Sequence, residues 1–211
     1  ALGEASFRYF RVDIATAITL TGRLFVISHV SKVVNDHLNE VCGTSDVEYC
    51  IYGDTDSVFI KLDAWVKMHK FDETNIDFVV TQIDEYMQNV IEPLIEESYI
   101  DLMAYIGAKR NDRMVMKREV ISDSCIFRGK KNYMMQVWDN EGVRYSAAYY
   151  KRMGIETAKT STAQIIRDKL EECLNIVINF EHQEPSQLKS IVDDFRDEFN
   201  KVDILSIAKP S

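Results

Sequence analysis

The chain has 211 residues, 46% of them hydrophobic and 28% charged, with a formal net charge of −9. That length suffices for a real core in one or two domains, and the acidic balance argues against a wholly basic nucleic-acid binder. Cys42, Cys50, Cys125 and Cys173 form no C-x-x-C pair and His29, His37, His69 and His182 lack zinc-ligand spacing, so the expectation is a reduced, intracellular chain with no zinc and no membrane segment.

Ala1-Leu2-Gly3 begins abruptly, without a cap or an initiating Met. Arg11 to Glu40 reads as one long helix, capped by Asp13, with Ile14, Ile18, Phe25, Val30, Val33, Val34 and Leu38 at helical spacing. Gly22 lowers helix propensity by about 1 kcal/mol, a loss that is understandable if another stretch of backbone approaches there. Val41 to Val47 is a polar connection.

Between Glu48 and Leu62, two short runs rich in Tyr, Ile, Val and Phe flank Gly53-Asp54-Thr55-Asp56, the pattern of a β-hairpin with a tight turn. Gly53 is expected to supply a positive φ, and Asp54 to hydrogen-bond its own backbone. Two carboxylates one residue apart repel each other, and a turn needs only one. A solvated turn is the plain reading of Asp54-Thr55-Asp56-Ser57; a divalent cation at the tip would explain the pair.

Asn75 to Ile106 is a second long helical pattern, with a kink or a break expected near Glu92 because Pro93 cannot donate a backbone hydrogen bond. Nine acidic residues and no Lys or Arg lie between Phe71 and Ile106, which reads as a solvated face. The following segment, Gly107 to Lys131, carries eight basic residues against three acidic ones, a local charge of +5. This separation suggests one face that binds a polyanion and one that avoids it.

Met114 to Met116 and Glu119 to Ile121 look like strand, Ser122 to Arg128 like loop, and Lys131 to Trp138 like strand. Asp139-Asn140-Glu141-Gly142 then turns into Val143-Arg144-Tyr145. This second β unit is expected to extend the sheet that holds the hairpin. Gly129-Lys130-Lys131-Asn132-Tyr133, at a strand mouth, can hold a phosphate backbone, although an exposed Lys pair is otherwise ordinary surface. Thr160-Ser161-Thr162 offers caps for a helix to about Phe180, and Glu184-Pro185-Ser186 opens another with Leu188, Ile191, Val192, Phe195 and Phe199 on one stripe. The two read as an antiparallel pair, with a domain boundary near Met153.

Tyr52-Gly53-Asp54-Thr55-Asp56-Ser57, entered and left through apolar strand, resembles the palm metal-binding hairpin of family B DNA polymerases, most of all the T-even phage type. Ala15-Thr16-Ala17-Ile18-Thr19 with Gly22-Arg23 resembles the helix behind that hairpin. Lys130-Lys131-Asn132-Tyr133 is similar to the Lys-x-Tyr element that holds the primer strand, with Asn132 where the family often has Arg or Lys. Met153-Gly154-Ile155-Glu156-Thr157-Ala158-Lys159-Thr160 is similar to the palm–thumb junction.

The resemblance, running from Ala1 to about Ala208, implies an α+β fold. An antiparallel palm sheet with two long packing helices would occupy residues 1–153, and the start of a helical thumb residues 154–211. It implies two-metal phosphoryl transfer that adds deoxynucleotides to a primer 3′ end. Asp56 and Asp54 would be the catalytic and metal-binding residues, with Lys131 close enough to Asp54 to pair with it. Tyr52 and Thr55 would border the primer terminus, and Lys130, Lys131, Tyr133 and Lys159 would contact DNA. The complete enzyme would use two Mg²⁺, held weakly or not at all by this chain alone. Partners would be primer–template DNA, a deoxynucleoside triphosphate and the remaining polymerase portion, in cis or as a separate subunit. The fingers, with the Asn-Ser-x-Tyr-Gly segment that precedes this point, the exonuclease and the other palm aspartate would lie elsewhere. The location would be the host cytoplasm. Two other classes stay open: a non-catalytic DNA-binding or assembly module of a split polymerase, and another palm-type phosphotransferase such as a nucleotide cyclase. The latter needs neither the lysine pair nor Gly154-Ile155-Glu156.

Overall fold

The computed structural model describes residues 2–109, 114–155, 157, 162–179 and 186–203. It is an α+β protein that divides into two compact units, Ala1–Arg118 and Glu119–Ser211.

In the first unit the expected long helix runs continuously from Val12 to Cys42. It comprises α1 (Val12–Gly22), a π-helical segment (Arg23–Val30) and α2 (Ser31–Cys42). Asp13 does not cap it. Arg11 is the N-cap residue, and the Asp13 carboxylate instead accepts from the Arg11 guanidinium at 2.7 and 3.0 Å, so the local ion pair wins over the cap. Phe25, Val30, Val34 and Leu38 are buried as their spacing predicts, whereas Ile14 and Ile18 remain exposed. The helix ends at Gly43, whose φ of +63° is the left-handed C-cap that glycine favours.

Two asparagines one turn apart on α2 account for the polar connection. Asn35 Oδ1 accepts from the Tyr49 and Cys50 amides, both at 2.9 Å; Asn39 accepts from the Val47 amide and donates to its carbonyl. Their side chains act as a substitute strand, delivering the backbone into β1 (Cys50–Asp54), which pairs with β2 (Ser57–Ile60).

After the short α3 (Asp63–Met68), the second long helix comprises α4 (Ile76–Tyr86), a π-helical segment (Met87–Ile91) and α5 (Glu92–Tyr105). Asn75 caps it through Phe78 N at 3.2 Å. The irregularity expected near Glu92 takes the form of a change of winding and not of a chain break: the π-helical turn ends at Ile91, just before Pro93, and accommodates the missing donor and the ring. Phe25, Val30, Val34, Leu38, Tyr49, Ile91, Ile95, Tyr99 and Met103 form one buried cluster between the two helices and the hairpin.

The acidic helix is not a wholly solvated face. Glu92, only 9% exposed, accepts from Lys117 Nζ at 2.7 Å and from the Arg118 amide at 2.9 Å. Asp84 accepts from Arg118 Nε at 2.9 Å, and the Arg118 side chain is itself buried. Part of the basic segment is thus neutralised internally and is not presented to a polyanion.

The second unit holds β3 (Val120–Gly129), β4 (Asn132–Asn140) and β5 (Val143–Met153), antiparallel in that order. Two expectations need correcting. Ser122 to Arg128 is strand, not loop; register shifts around Ser122 absorb the polar Ser-Asp-Ser run that looks like turn sequence. Among the described residues these strands also form a sheet separate from the hairpin's, not an extension of it. The β4–β5 turn narrows to Glu141-Gly142, at φ +52° and +84°, the type I′ pattern. The buried Asp139 anchors that turn by accepting from Gly142 N at 3.0 Å and Arg144 Nε at 3.3 Å.

One face of this sheet is covered by α6 (Gln164–Ile178), with Met134, Ile155 and Ile178 buried together. Its N-cap position is Ala163, without a side-chain cap; Thr160 and Ser161 lie outside the described residues. Against it lies α7 (Ser186–Phe199), whose Phe195, near the C-terminal end, meets Lys169 near the start of α6 at 5.9 Å, so the pair is antiparallel.

Candidate functional site

The hairpin tip is built on Gly22. A Cβ there would stand 3.1 Å from the carbonyl oxygen of Thr55, so the turn rests directly on helix backbone. The sequence expectation of a close approach at this glycine is met. Gly53 plays a different part from the one expected. It has no positive φ but lies in β1 opposite Val58, where a Cβ would come within 3.3 Å of Ile27 Cγ1 and 3.4 Å of Ser57 O. The left-handed residue is Thr55, at φ +52°. For a β-branched residue that conformation is strained by roughly 1–3 kcal/mol and must be held by its surroundings. The restraints are the Gly22 contact, the Asp56 amide donating to Asp54 O at 2.6 Å and the Tyr52–Phe59 edge-to-face pair at 5.3 Å.

The two carboxylates differ. Asp54, half-buried at the end of β1, accepts from Thr55 Oγ1 at 3.2 Å. Asp56 is exposed in the turn, and its carboxylate makes no hydrogen bond to a described residue. No group of three or more His, Cys, Asp or Glu among the described residues could hold a metal ion. Since Mg²⁺ takes six oxygens, often several of them water, the tip fits as part of a donor set and not as a complete site.

Gly22→Ala tests the platform. The added methyl must displace Thr55 O by a few tenths of an ångström, which offsets the gain in helix propensity of about 1 kcal/mol. The expected result is a melting temperature within a few degrees of wild type but a shifted tip. It would be checked by hydrogen exchange of the Asp56 amide, which should quicken at least tenfold.

A second cluster forms in the second unit. Lys130-Lys131 is the tip of the β3–β4 hairpin, with Lys131 at φ +55°, both side chains exposed, and Tyr133 beside Phe127 at 5.9 Å. Gly154, at φ +66°, lies against this tip: a Cβ on it would fall 2.2 Å from Lys131 O. Tyr133 pairs in register with Met153. Two motifs some 20 residues apart in sequence are therefore one structural element, which neither motif announced alone. Asn132 Oδ1 is buried without a hydrogen-bond partner among the described residues, so this side chain turns inward. Lys159 lies outside the described residues.

A DNA polymerase family B profile matches residues 1–103, from the first residues through the hairpin and most of α5. A DNA-directed DNA polymerase of Escherichia phage RB69 is 36% identical over 187 residues, covering 82% of this chain and 20% of that protein. Another of Enterobacteria phage T4 is 32% identical over 220 residues, covering 99% of this chain and 24% of that protein. The chain thus spans about a fifth to a quarter of the length of these relatives. With the profile spanning the hairpin and its platform and homology running along nearly the whole chain, this protein belongs to DNA polymerase family B, among the T-even phage type.

Proposed function

We propose that this chain supplies the carboxylate hairpin and part of the primer grip of a DNA-directed DNA polymerase. Residues 1–153 would be palm and 154–211 the start of the thumb. The observation that carries the reading is the tip itself. An exposed Asp56, whose carboxylate has no hydrogen-bond partner among the described residues, sits beside an engaged Asp54, on a strained turn seated against Gly22. A turn that needed only solvation would have no use for that strain or for the second carboxylate.

In this reading Asp56 is the principal ligand contributed to Mg²⁺. Asp54, already accepting a hydrogen bond, is secondary. The remaining ligands, including another aspartate, come from polymerase segments outside this chain, in cis or as a separate subunit. Bound there, Mg²⁺ would acidify the primer 3′-hydroxyl and neutralise charge on the triphosphate. Tyr52 and Thr55 border the primer terminus, Lys130, Lys131 and Tyr133 hold the primer strand, and Lys159 touches the duplex. The setting would be the cytoplasm of a phage-infected cell. Among the described residues one helix, Val12–Cys42, is long and apolar enough to cross a membrane, but its second half carries Asn35, Asp36 and His37 and is built into the first unit's core.

The 211 residues alone are expected to incorporate no nucleotide, because two hairpin carboxylates do not complete a metal site. Template-dependent extension by the purified chain would overturn that. Grafting the chain in place of the aligned quarter of the phage T4 polymerase should restore extension; a graft that binds primer–template yet does not extend it would refute the proposal. In that chimera Lys131→Ala should reduce the slope of log K against log salt by roughly 0.9, one counterion fewer per lost phosphate contact. Titrating a fluorescent primer–template at rising salt reads this directly, and an unchanged slope would return Lys131 to ordinary surface.

A further inference from the structure

A single side-chain oxygen on α2 meets the backbone where the chain enters the hairpin. The amides of Tyr49 and Cys50 both donate to Asn35 Oδ1, each at 2.9 Å. In a regular strand successive N–H groups point to opposite edges, so neighbouring amides do not meet on one atom. Here they converge, and the backbone is bent at the residue where β1 begins. Asn35 itself stands in the interior of α2, where asparagine is one of the weaker helix formers. What it contributes there is the bond to the strand.

Beyond the bend, the strand carries an irregularity whose position matters. Cys50 pairs with Ile60 and Tyr52 with Phe59, so Ile51 is an extra residue, a β-bulge just ahead of Asp54. Moving such a bulge by one residue turns the side chains that it passes to the opposite face. Gly53 now lies over Ile27, where a Cβ would come within 3.3 Å, and Thr55 O rests on Gly22. A slip would bring Tyr52 or Asp54 to the place that only glycine fits and lift the tip off its platform. Tyr49 is the fixed point of this count. Asn35 holds its amide from one side, and its carbonyl accepts from Lys61 N at 2.8 Å on the other. Asn39, one turn along α2, makes its bonds to Val47, outside the strand.

We infer that Asn35 is a positioning residue for the Asp54–Asp56 tip. Acting through the β1 backbone, it fixes the register from which both carboxylates are counted, and so sets how tightly the tip takes Mg²⁺. The metal part rests on the polymerase reading; the register is read out without metal.

The test replaces Asn35 in the 211-residue chain and in the T4 chimera. Asn35→Leu keeps the bulk and removes the acceptor, while Asn35→Asp keeps an acceptor oxygen in the same place. In the metal-free chain, Asn35→Leu should quicken exchange of the Asp56 amide by about tenfold or more, with the Val34 and Leu38 amides within about threefold of wild type. Asn35→Asp should return Asp56 to the wild-type rate. In the chimera, Asn35→Leu should raise the Mg²⁺ concentration for half-maximal single-turnover extension by about tenfold or more, with primer–template affinity unchanged. Asn35→Asp should restore it, and Asn39→Leu should not shift it. Exchange that quickens alike at Val34, Leu38 and Asp56 would make Asn35 a general stabilising bond and overturn the inference. So would an unshifted Mg²⁺ dependence, or failure of Asn35→Asp to restore it. Should Asn35→Leu not fold, Asn35→Gln, which moves the acceptor out by one carbon, carries the same comparison. A chimera that extends no primer while its Asp56 exchange follows Asn35 as expected would leave this register role standing and refute the polymerase role instead.

Discussion

Asp56→Ala in the T4 chimera is expected to lower single-turnover primer extension by at least a thousandfold, while Asp54→Ala lowers it by tenfold to a hundredfold. A metal-held charge that develops with the transition state contributes several kcal/mol, and each 1.4 kcal/mol is about tenfold in rate. The asymmetry follows from the tip: Asp56 offers both oxygens, whereas Asp54 already shares one with Thr55. Neither substitution should move the melting temperature by more than a few degrees, because neither carboxylate is buried. Rates that fall equally for both would reverse the assignment of principal and secondary ligand. Rates within tenfold of wild type for both would make the tip a solvated turn after all.

Gly154→Ala is expected to destabilise the second unit by about 2–5 kcal/mol. Part is the cost of placing an L residue in the left-handed region, roughly 1–2 kcal/mol; the rest is forced displacement of backbone from a point 2.2 Å away. For a unit of this size, at about 4–8 °C per kcal/mol, the melting temperature should fall by roughly 10–40 °C. Gly142→Ala is the natural control. Gly142 also has a positive φ, but nothing lies within 4 Å of where its Cβ would go, so it carries the conformational cost without the collision. Calorimetry of both variants separates the two contributions. If Gly154→Ala melts no lower than Gly142→Ala, the Lys131 tip is not braced by the junction.

Much of the candidate site's geometry was legible because the hairpin and its platform lie in a short stretch of chain. The hairpin, its platform glycine and both long helices follow from period and turn residues that lie close together in sequence. What escaped depends on partners far along the chain or on competition between local choices. Gly53 looked like the residue that turns the corner, yet its missing side chain serves the packing of Ile27, and Thr55 takes the left-handed conformation instead. Ser122 to Arg128 looked like loop because Ser and Asp favour turns, but pairing with β4 overrides that preference. Glu92 looked solvated because no sequence rule ties it to Lys117 and Arg118, some 25 residues on. The bracing of Lys131 by Gly154 was invisible for the same reason.

The π-helical stretch between Gly22 and Val30 has a consequence for tolerated change. A π turn takes in more residues than the 3.6 of an α turn, so the rotational phase of everything beyond it depends on how many residues it contains. On one side of it Gly22 faces the Asp54–Asp56 tip; on the other, Val34 and Leu38 face the core. Deleting one residue from Arg23–Val30 while regular winding returns would cost little phase, because a π turn already holds an extra residue; deleting one from the α-helical turn Ser31–Val33 would swing one end about 100° against the other. Either the tip would then lose its platform or the core would lose its side chains. Single-residue deletions within Arg23–Val30 should therefore be milder than the same deletion in Ser31–Val33, which makes the phase between Gly22 and the core positions, more than the length of the π-helical segment, the quantity under constraint.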